Sequence, residues 1–366
     1  MRFFGRELEG LMDVARAELA AFVGSAPENL VFVPNASTGV STVLRSLALS
    51  AGDELLCTSQ GYNACRNALE VVAARAGARV VQVDLPFPVL SPSDVVDAVL
   101  EKISPRTRLL LIDHVTSITG MRLPVEALVP QVQKLGVEVL VDGAHAPGML
   151  ELKLEALGAD YYTGNCHKWM CTPKGSALLH VAPRHQGKIL PLTVGHGHNA
   201  ARTDKSRFQL EFALMATADP SAFLSVPAAL QFVRDEVPGG WAGMRATNHA
   251  RVRDARRRLL SELGATPVCP EEMLGALATV TLPPEVAPGE SAGQLMARLF
   301  EQNRIEVPVW LVNGRYDHFR GEERRFLTAC QDGRLVVVPG ATHLVSLVAP
   351  VRFTRVVLGA LDGLQR

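Results

Sequence analysis

Between residues 30 and 141 the chain repeats one unit: a run of four or five mostly apolar residues, then a longer segment with apolar positions at helical spacing. The apolar runs fall at 30–33, 54–57, 79–83, 109–112 and 137–141. Helices are predicted from about Ser37 and over 63–76, 93–103 and 125–135. Runs this short and this apolar read as strands buried on both faces, and the helices between them are the crossovers that parallel neighbours require. The rhythm therefore predicts an α/β fold built on a mostly parallel sheet flanked by helices. Ligands of such sheets sit beyond the carboxyl ends of the strands, so the residues directly after each run are where chemistry is expected.

The flanking segments organise the rest. Residues 7–23 have helical spacing and Gly24 can end that helix. After Val181 the rhythm breaks, and 190–220, rich in His, Gly, Asn, Thr and Asp, reads as a long loop. A helix is predicted over 221–235. The stretch Pro238-Gly239-Gly240 then reads as a hinge between a large domain, 1–238, and a small α+β domain, 239–366. A helix over 243–263 carries Arg245, Arg251, Arg253, Arg256, Arg257 and Arg258, read as a solvated face. Strands are predicted at 276–282, 307–312 and 335–338, with helices at 294–303, near 321–330 and at the end.

Charge and cysteine usage narrow the class of protein. Lys and Arg total 37 and Asp and Glu also 37, so there is no basic excess for a nucleic acid or an anionic membrane. No apolar run approaches the ~20 residues of a membrane-spanning helix, and the N-terminus lacks the apolar core of a signal peptide. Six cysteines without a C-x-x-C pair fit a reducing compartment, so a cytoplasmic location is expected. No metal site is predicted: His196 and His198 have no third ligand placed by spacing, and Cys166 and Cys171 have no zinc-like partner pair.

Four strand ends carry candidate chemistry. The first run enters Pro34-Asn35-Ala36-Ser37-Thr38-Gly39, where Ser37 and Thr38 at a helix start can cradle a phosphate. Tyr62 follows the second run and can stack on a flat ring. Asp142 directly follows an apolar strand, where a buried carboxylate needs a partner such as a cationic ring nitrogen. Lys168 lies 26 positions after Asp142, between His167 and Trp169, where partial desolvation favours a nucleophilic amine. Each feature alone has an ordinary structural reading. Together they match the needs of pyridoxal 5'-phosphate: an anchor for the phosphate, a partner that keeps the ring nitrogen protonated, and a lysine to hold the aldehyde as a Schiff base.

The segments VFVPNASTGV, LLLIDHVTSITG, VEVLVDGAHAPG and ADYYTGNCHKWMCTPKG resemble the class V aminotransferase family of pyridoxal-phosphate enzymes, in particular its isopenicillin N epimerase-like branch. The resemblance covers roughly residues 1–310. It implies the type I fold of pyridoxal-phosphate transferases, with a seven-stranded-type sheet in the large domain, and an amino-acid substrate. It also implies that Lys168 is the Schiff-base lysine, that Asp142 partners the ring nitrogen, that His145 touches the phenolic oxygen and that Tyr62 stacks on the ring. Ser37, Thr38 and His167 would bind phosphate, Ser117 would line the pocket, and Thr217 would reach the phosphate of a neighbouring subunit in a homodimer. Epimerisation, transamination and elimination all remain open. Cysteine desulfuration is disfavoured, because the mobile nucleophile it needs would have to be Cys330 in the tail.

Three departures from the family pattern set up alternatives. The family has further residues before the first helix, so this N-terminus reads as truncated. Met215 stands where the family often has a threonine. Beyond Val309 the expected R-x-S motif, whose arginine holds the substrate carboxylate, is absent from the sequence. There, 310–366 resembles the end of an α/β-hydrolase, with an acid at Asp317 and a base at His343. One alternative is thus a cofactor-binding relative impaired in catalysis. Another is a serine hydrolase using Ser291, Asp317 and His343, but Ser291, in Gly289-Glu290-Ser291-Ala292-Gly293, follows a proline-rich loop instead of the strand that a nucleophile elbow needs.

Overall fold

A computed structural model describes residues 2–213, 218–281, 310–314 and 334–338. The chain divides into two compact units, 1–281 and 282–366. In the first unit the strands are β1 (Leu30–Val33), β2 (Glu54–Thr58), β3 (Arg79–Val83), β4 (Thr107–Asp113), β5 (Glu138–Asp142), β6 (Tyr161–Asn165) and β7 (Ala177–Val181). The helices are α1 (Leu8–Val23), α2 (Ala36–Ser46), α3 (Asn63–Ala76), α4 (Pro92–Lys102), α5 (Val125–Lys134), α6 (Leu154–Leu157), α7 (Arg207–Ala213), α8 (Ser221–Leu224), α9 (Val226–Glu236) and α10 (Gly240–Leu263). In the second unit β8 (Trp310–Gly314) and β9 (Arg334–Val338) pair in parallel.

The seven strands form one mixed sheet in the order β1-β7-β6-β5-β4-β2-β3. Strands β3, β2, β4, β5 and β6 run parallel, each reached through a crossover of the length parallel pairing demands. Strand β7 runs antiparallel to both β6 and β1, because the 11 residues of 166–176 contain no crossover helix and simply return the chain. That return segment carries Lys168.

Period-two alternation assigns each strand residue to one of two cores. Leu110, Ile112, Val139 and Val141 pack with α1, α4 and α5, whereas Leu109, Leu111 and Leu140 pack with α2 and α3 through Val43, Leu44 and Leu69. Burying each such leucine stabilises the fold by roughly 1.5–3 kcal/mol. Continuing the alternation by one step turns the last residues of β4 and β5, Asp113 and Asp142, toward the α2–α3 face.

Several expectations change. Residues 190–220 are not all loop: α7 forms within them and buries Phe208, Leu210 and Phe212, a pattern masked in the sequence by the interleaved Arg207, Gln209 and Glu211. The helix expected over 221–235 is two helices that meet at Ser225, since Pro227 in the first turn of α9 has no N–H to continue α8. Residues 276–281 form no strand and make only an isolated bridge, between Val280 and Pro267. The basic helix is not wholly solvated: Arg256 is 6% exposed, and its Nη2 donates to the Cys269 carbonyl. The first compact unit also runs past the hinge expected at 238, because Trp241, Val268, Cys269, Met273 and Leu274 bury in the same core as α1 and α5. The helices expected at 294–303, near 321–330 and at the end lie outside the described residues.

Candidate active site

The carboxyl ends of β1, β4, β5 and β6 open on a cavity of about 360 Å³. It is lined by Asn35, Ala36 and Ser37 from the start of α2, by Tyr62 and Asp113, by Ser117, Asp142 and His145, and by Asn165, His167 and Lys168. Seven of the nine residues singled out from the sequence thus face one space. A larger cavity of about 430 Å³, lined by His114, Arg122 and Glu126 among others, holds none of the nine.

The phosphate-type end is built by β1 running into α2. Asn35 caps the helix: its Oδ1 accepts the Thr38 N–H at 2.8 Å and the Thr38 hydroxyl at 3.0 Å. The Ala36 N–H donates to Asn165 Oδ1 at 2.8 Å, which ties the helix start to the end of β6. Ser37 faces the cavity, whereas the Thr38 hydroxyl is spent on the cap and lines no part of it. Across the cavity, His167 Nδ1 lies 2.7 Å from the Ser176 carbonyl, so Nδ1 carries the proton there. Burial lowers the His167 pKa, which leaves the ring neutral.

The opposite end is anionic. Asp142 accepts from the Cys65 thiol at 3.1 Å and from the Ala144 N–H at 3.0 Å. Its neighbour in register on β4 is Asp113, and the two are 3% and 5% exposed respectively. Burial raises both carboxyl pKa values, and the charge of Asp142 raises Asp113 further. Burial also raises the thiol of Cys65, so it is present as a neutral donor.

Lys168 lies between these ends. Its Nζ is 3.0 Å from His145 Nε2, and Trp169 Nε1 donates to His145 Nδ1 at 3.4 Å. Since Nδ1 accepts, the imidazole proton is on Nε2, which points it at the lysine amine. Burial takes His145 down to about 4, so the ring is neutral at pH 7. Desolvation lowers the Lys168 pKa while Asp142 and Asp113 oppose the shift, leaving an amine that is more readily deprotonated than an exposed lysine. Tyr62, at the N-terminus of α3, is 44% exposed at the cavity mouth.

The donor set fits pyridoxal phosphate: helix-start amides with Ser37 and His167 for a dianion, buried carboxyls for a ring cation, and an amine for an aldehyde. Thr217 lies outside the described residues, as do Ser291, Asp317 and His343. Among the described residues no three His, Cys, Asp or Glu side chains gather for a metal ion. His198 instead bonds Glu211 at 2.8 Å. Sequence reasoning missed Asp113, Cys65 and Asn165. For Asp113 a signal was present, since it follows an apolar strand just as Asp142 does.

A family model described as aminotransferase class V matches residues 2–298. An isopenicillin N epimerase of Amycolatopsis lactamdurans is 36% identical over 331 residues, spanning 84% of this chain and 79% of that protein. A protein of Arabidopsis thaliana described as a "probable L-cysteine desulfhydrase, chloroplastic" is 30% identical over 326 residues, spanning 84% of this chain and 68% of its own. Among solved structures, a C-DES variant with glycine covalently linked to its PLP cofactor superimposes with a TM-score of 0.68 at 23% identity, over 81% of this chain and 77% of that one, which shows the shared fold.

Proposed function

The chain belongs to the class V aminotransferase family, and from that premise we propose that it is a pyridoxal-phosphate enzyme that breaks and remakes bonds at the Cα of an amino acid, with Lys168 as the covalent anchor of the cofactor. The observation that carries the assignment is the convergence of the α2 N-terminus, Asp142 and Lys168 on one cavity. When bound, the cofactor supplies an electron sink for charge that develops at Cα.

The protein's own groups do the rest. Ser37, His167 and the α2 amides hold the phosphate. Asp142, kept in place by Cys65 and the Ala144 N–H, holds the ring nitrogen. His145 Nε2 donates to the Lys168 amine and would donate to the phenolic oxygen of the bound group. Tyr62, which lines the cavity, would stack on the ring. Lys168 would hold the aldehyde, and its partly desolvated amine would take the α-proton and return it. Epimerisation and β-elimination share this proton step, which accords with relatives named for each.

A homodimer is part of the reading. The loop after β7 exposes Leu190 (40%), Leu192 (39%) and Val194 (54%), apolar surface that a second copy would cover. A cytoplasmic setting accords with the five described cysteines being free. No helix among the described residues is long and apolar enough to cross a membrane.

Protein reconstituted with pyridoxal phosphate should gain a visible absorption band that borohydride bleaches. Peptide mapping should then find the reduced adduct on Lys168. An adduct on another lysine would overturn the site, and no adduct at all would overturn the function. Light scattering of the loaded protein should give a mass of twice 39.4 kDa.

A further inference from the structure

The function proposed above uses one strand-end carboxylate, but the cavity contains two. Asp113 and Asp142 end adjacent parallel strands as register partners, turn to the same face, and both line the cavity. Adjacent strands lie about 4.8 Å apart, and both side chains are almost wholly buried. Two carboxylates this close and this dry do not both ionise, because like charges at that spacing cost more than the loss of one proton.

Among the described residues, the surroundings of the pair do not supply two compensating charges. Asp142 receives the neutral Cys65 thiol from α3 and the Ala144 N–H. Asp113 receives its own backbone N–H and that of Tyr62. From β2, Cys57 faces Asp113 as a thiol that burial keeps neutral. Among the described residues the cation acting on both carboxyls is Lys168, itself partly desolvated. His145, beside Lys168, is neutral. One negative charge is thus matched, and the second is not.

We propose that Asp113 is a second cofactor-facing carboxyl, which shares one proton with Asp142 in the cofactor-free protein and yields it to the pyridine nitrogen as the ring enters. The inference rests on the pyridoxal-phosphate reading. The step balances: one carboxyl O–H bond breaks, one ring N–H bond forms, and no proton is exchanged with solvent. The cavity loses a buried acid and gains an ion cluster of two carboxylates and a pyridinium. The ring is then made cationic by the protein itself, whatever its protonation in solution, and Asp113 is a cofactor-binding residue in its own right.

The test is proton counting. Calorimetric titration of the cofactor-free protein with pyridoxal phosphate, in two buffers of different ionisation enthalpy and above the pKa of the free ring nitrogen, gives the protons taken up per site. D113N leaves Asp142 alone and ionised opposite Lys168, so the ring proton must then come from solvent. D113N is expected to take up about one proton more per site than the wild type. Equal uptake in the two proteins would overturn the role of Asp113. The wild type alone gives a second reading that needs no variant to fold. Its difference infrared spectrum on loading should show the loss of a protonated carboxyl band, and a spectrum without that loss would also overturn the proposal. A wild type that binds no cofactor would remove the underlying function as well, an outcome distinct from both.

Discussion

Gly148→Ala should unfix the loop that carries Lys168 from a distance. Gly148 follows the turn that carries His145 and adopts φ +87°. A Cβ there would point into the Trp169 carbonyl group, 2.5 Å from its carbon and 2.8 Å from the Met170 nitrogen, as well as against the Trp169 oxygen. These are backbone atoms, and Met170 is fully buried, so the segment after Lys168 has nowhere to give. The positive φ costs a residue with a Cβ about 1–2 kcal/mol, and overpacking against a fixed neighbour adds roughly 1–3 kcal/mol. The sum is about 2–5 kcal/mol. At roughly 2–4 °C per kcal/mol for a unit of this size, the melting temperature should fall by about 4–20 °C. Gly136→Ala separates the two contributions, since Gly136 has φ +77° with nothing within 4 Å of its would-be Cβ. It should lose only the conformational part. Circular dichroism melts of both cofactor-free variants, with the rate of covalent cofactor attachment alongside, provide the comparison. Should Gly148→Ala melt no lower than Gly136→Ala and take up cofactor at the wild-type rate, the packing of these two turns does not position Lys168.

Three other perturbations follow from the same geometry. The proposed attachment at Lys168 needs its neutral amine, and the pKa of that amine is lowered, so the stopped-flow attachment rate should rise with pH to a midpoint below the usual 10.5; a midpoint at or above that value would refute the desolvated amine. Asp142→Ala removes a charged partner worth about 1.5–3 kcal/mol, so fluorescence titration should show cofactor affinity lower by roughly 10- to 150-fold, and an unchanged affinity would move the ring nitrogen elsewhere. Glu54 accepts from Ser104 at 2.7 Å, Arg79 at 2.5 Å and Arg106 at 2.9 Å, which takes its pKa from 4.5 to about 2. The stability it confers is complete above pH 4.5 and is lost as pH falls toward 2. Glu54→Gln should therefore cost about 2 kcal/mol near pH 7 and flatten the acid limb of a denaturant-stability profile, whereas parallel profiles would contradict the assignment.

The sheet was legible because all of its strands but the edge strand β3 are buried on both faces. An uninterrupted run such as LLLI has one reading when helices flank it, and the strand ends then located Asp142 and Lys168. Register was not legible. Nothing in the spacing of residues 113 and 142 says that they are partners across two strands, so Asp113 passed unnoticed beside a more familiar motif. The cap was not legible for a related reason: Ser37 and Thr38 stand side by side in the string, and nothing there says that the Thr38 hydroxyl bonds to Asn35, three positions earlier. Arg256 was read by its charge, whereas its environment is set by Cys269, 13 positions later in a segment without a periodic signal.

Among the described residues strand β1 pairs with β7 alone, which follows it by about 145 residues. On a ribosome adding about 5–20 residues per second, β1 and the N-terminus of α2 emerge on the order of 10–30 s before the strand that seats them. The parallel block from β2 to β6 can gather meanwhile, and it brings Asp113 and Asp142 together first. The nascent chain should therefore assemble the anionic half of the cavity early and gain the phosphate half only when β7 closes the edge. Chains stalled near residues 170 and 210 should differ in protease resistance at α2. The cofactor then has no complete site to enter until the sheet is finished, so a half-made enzyme cannot capture a reactive aldehyde.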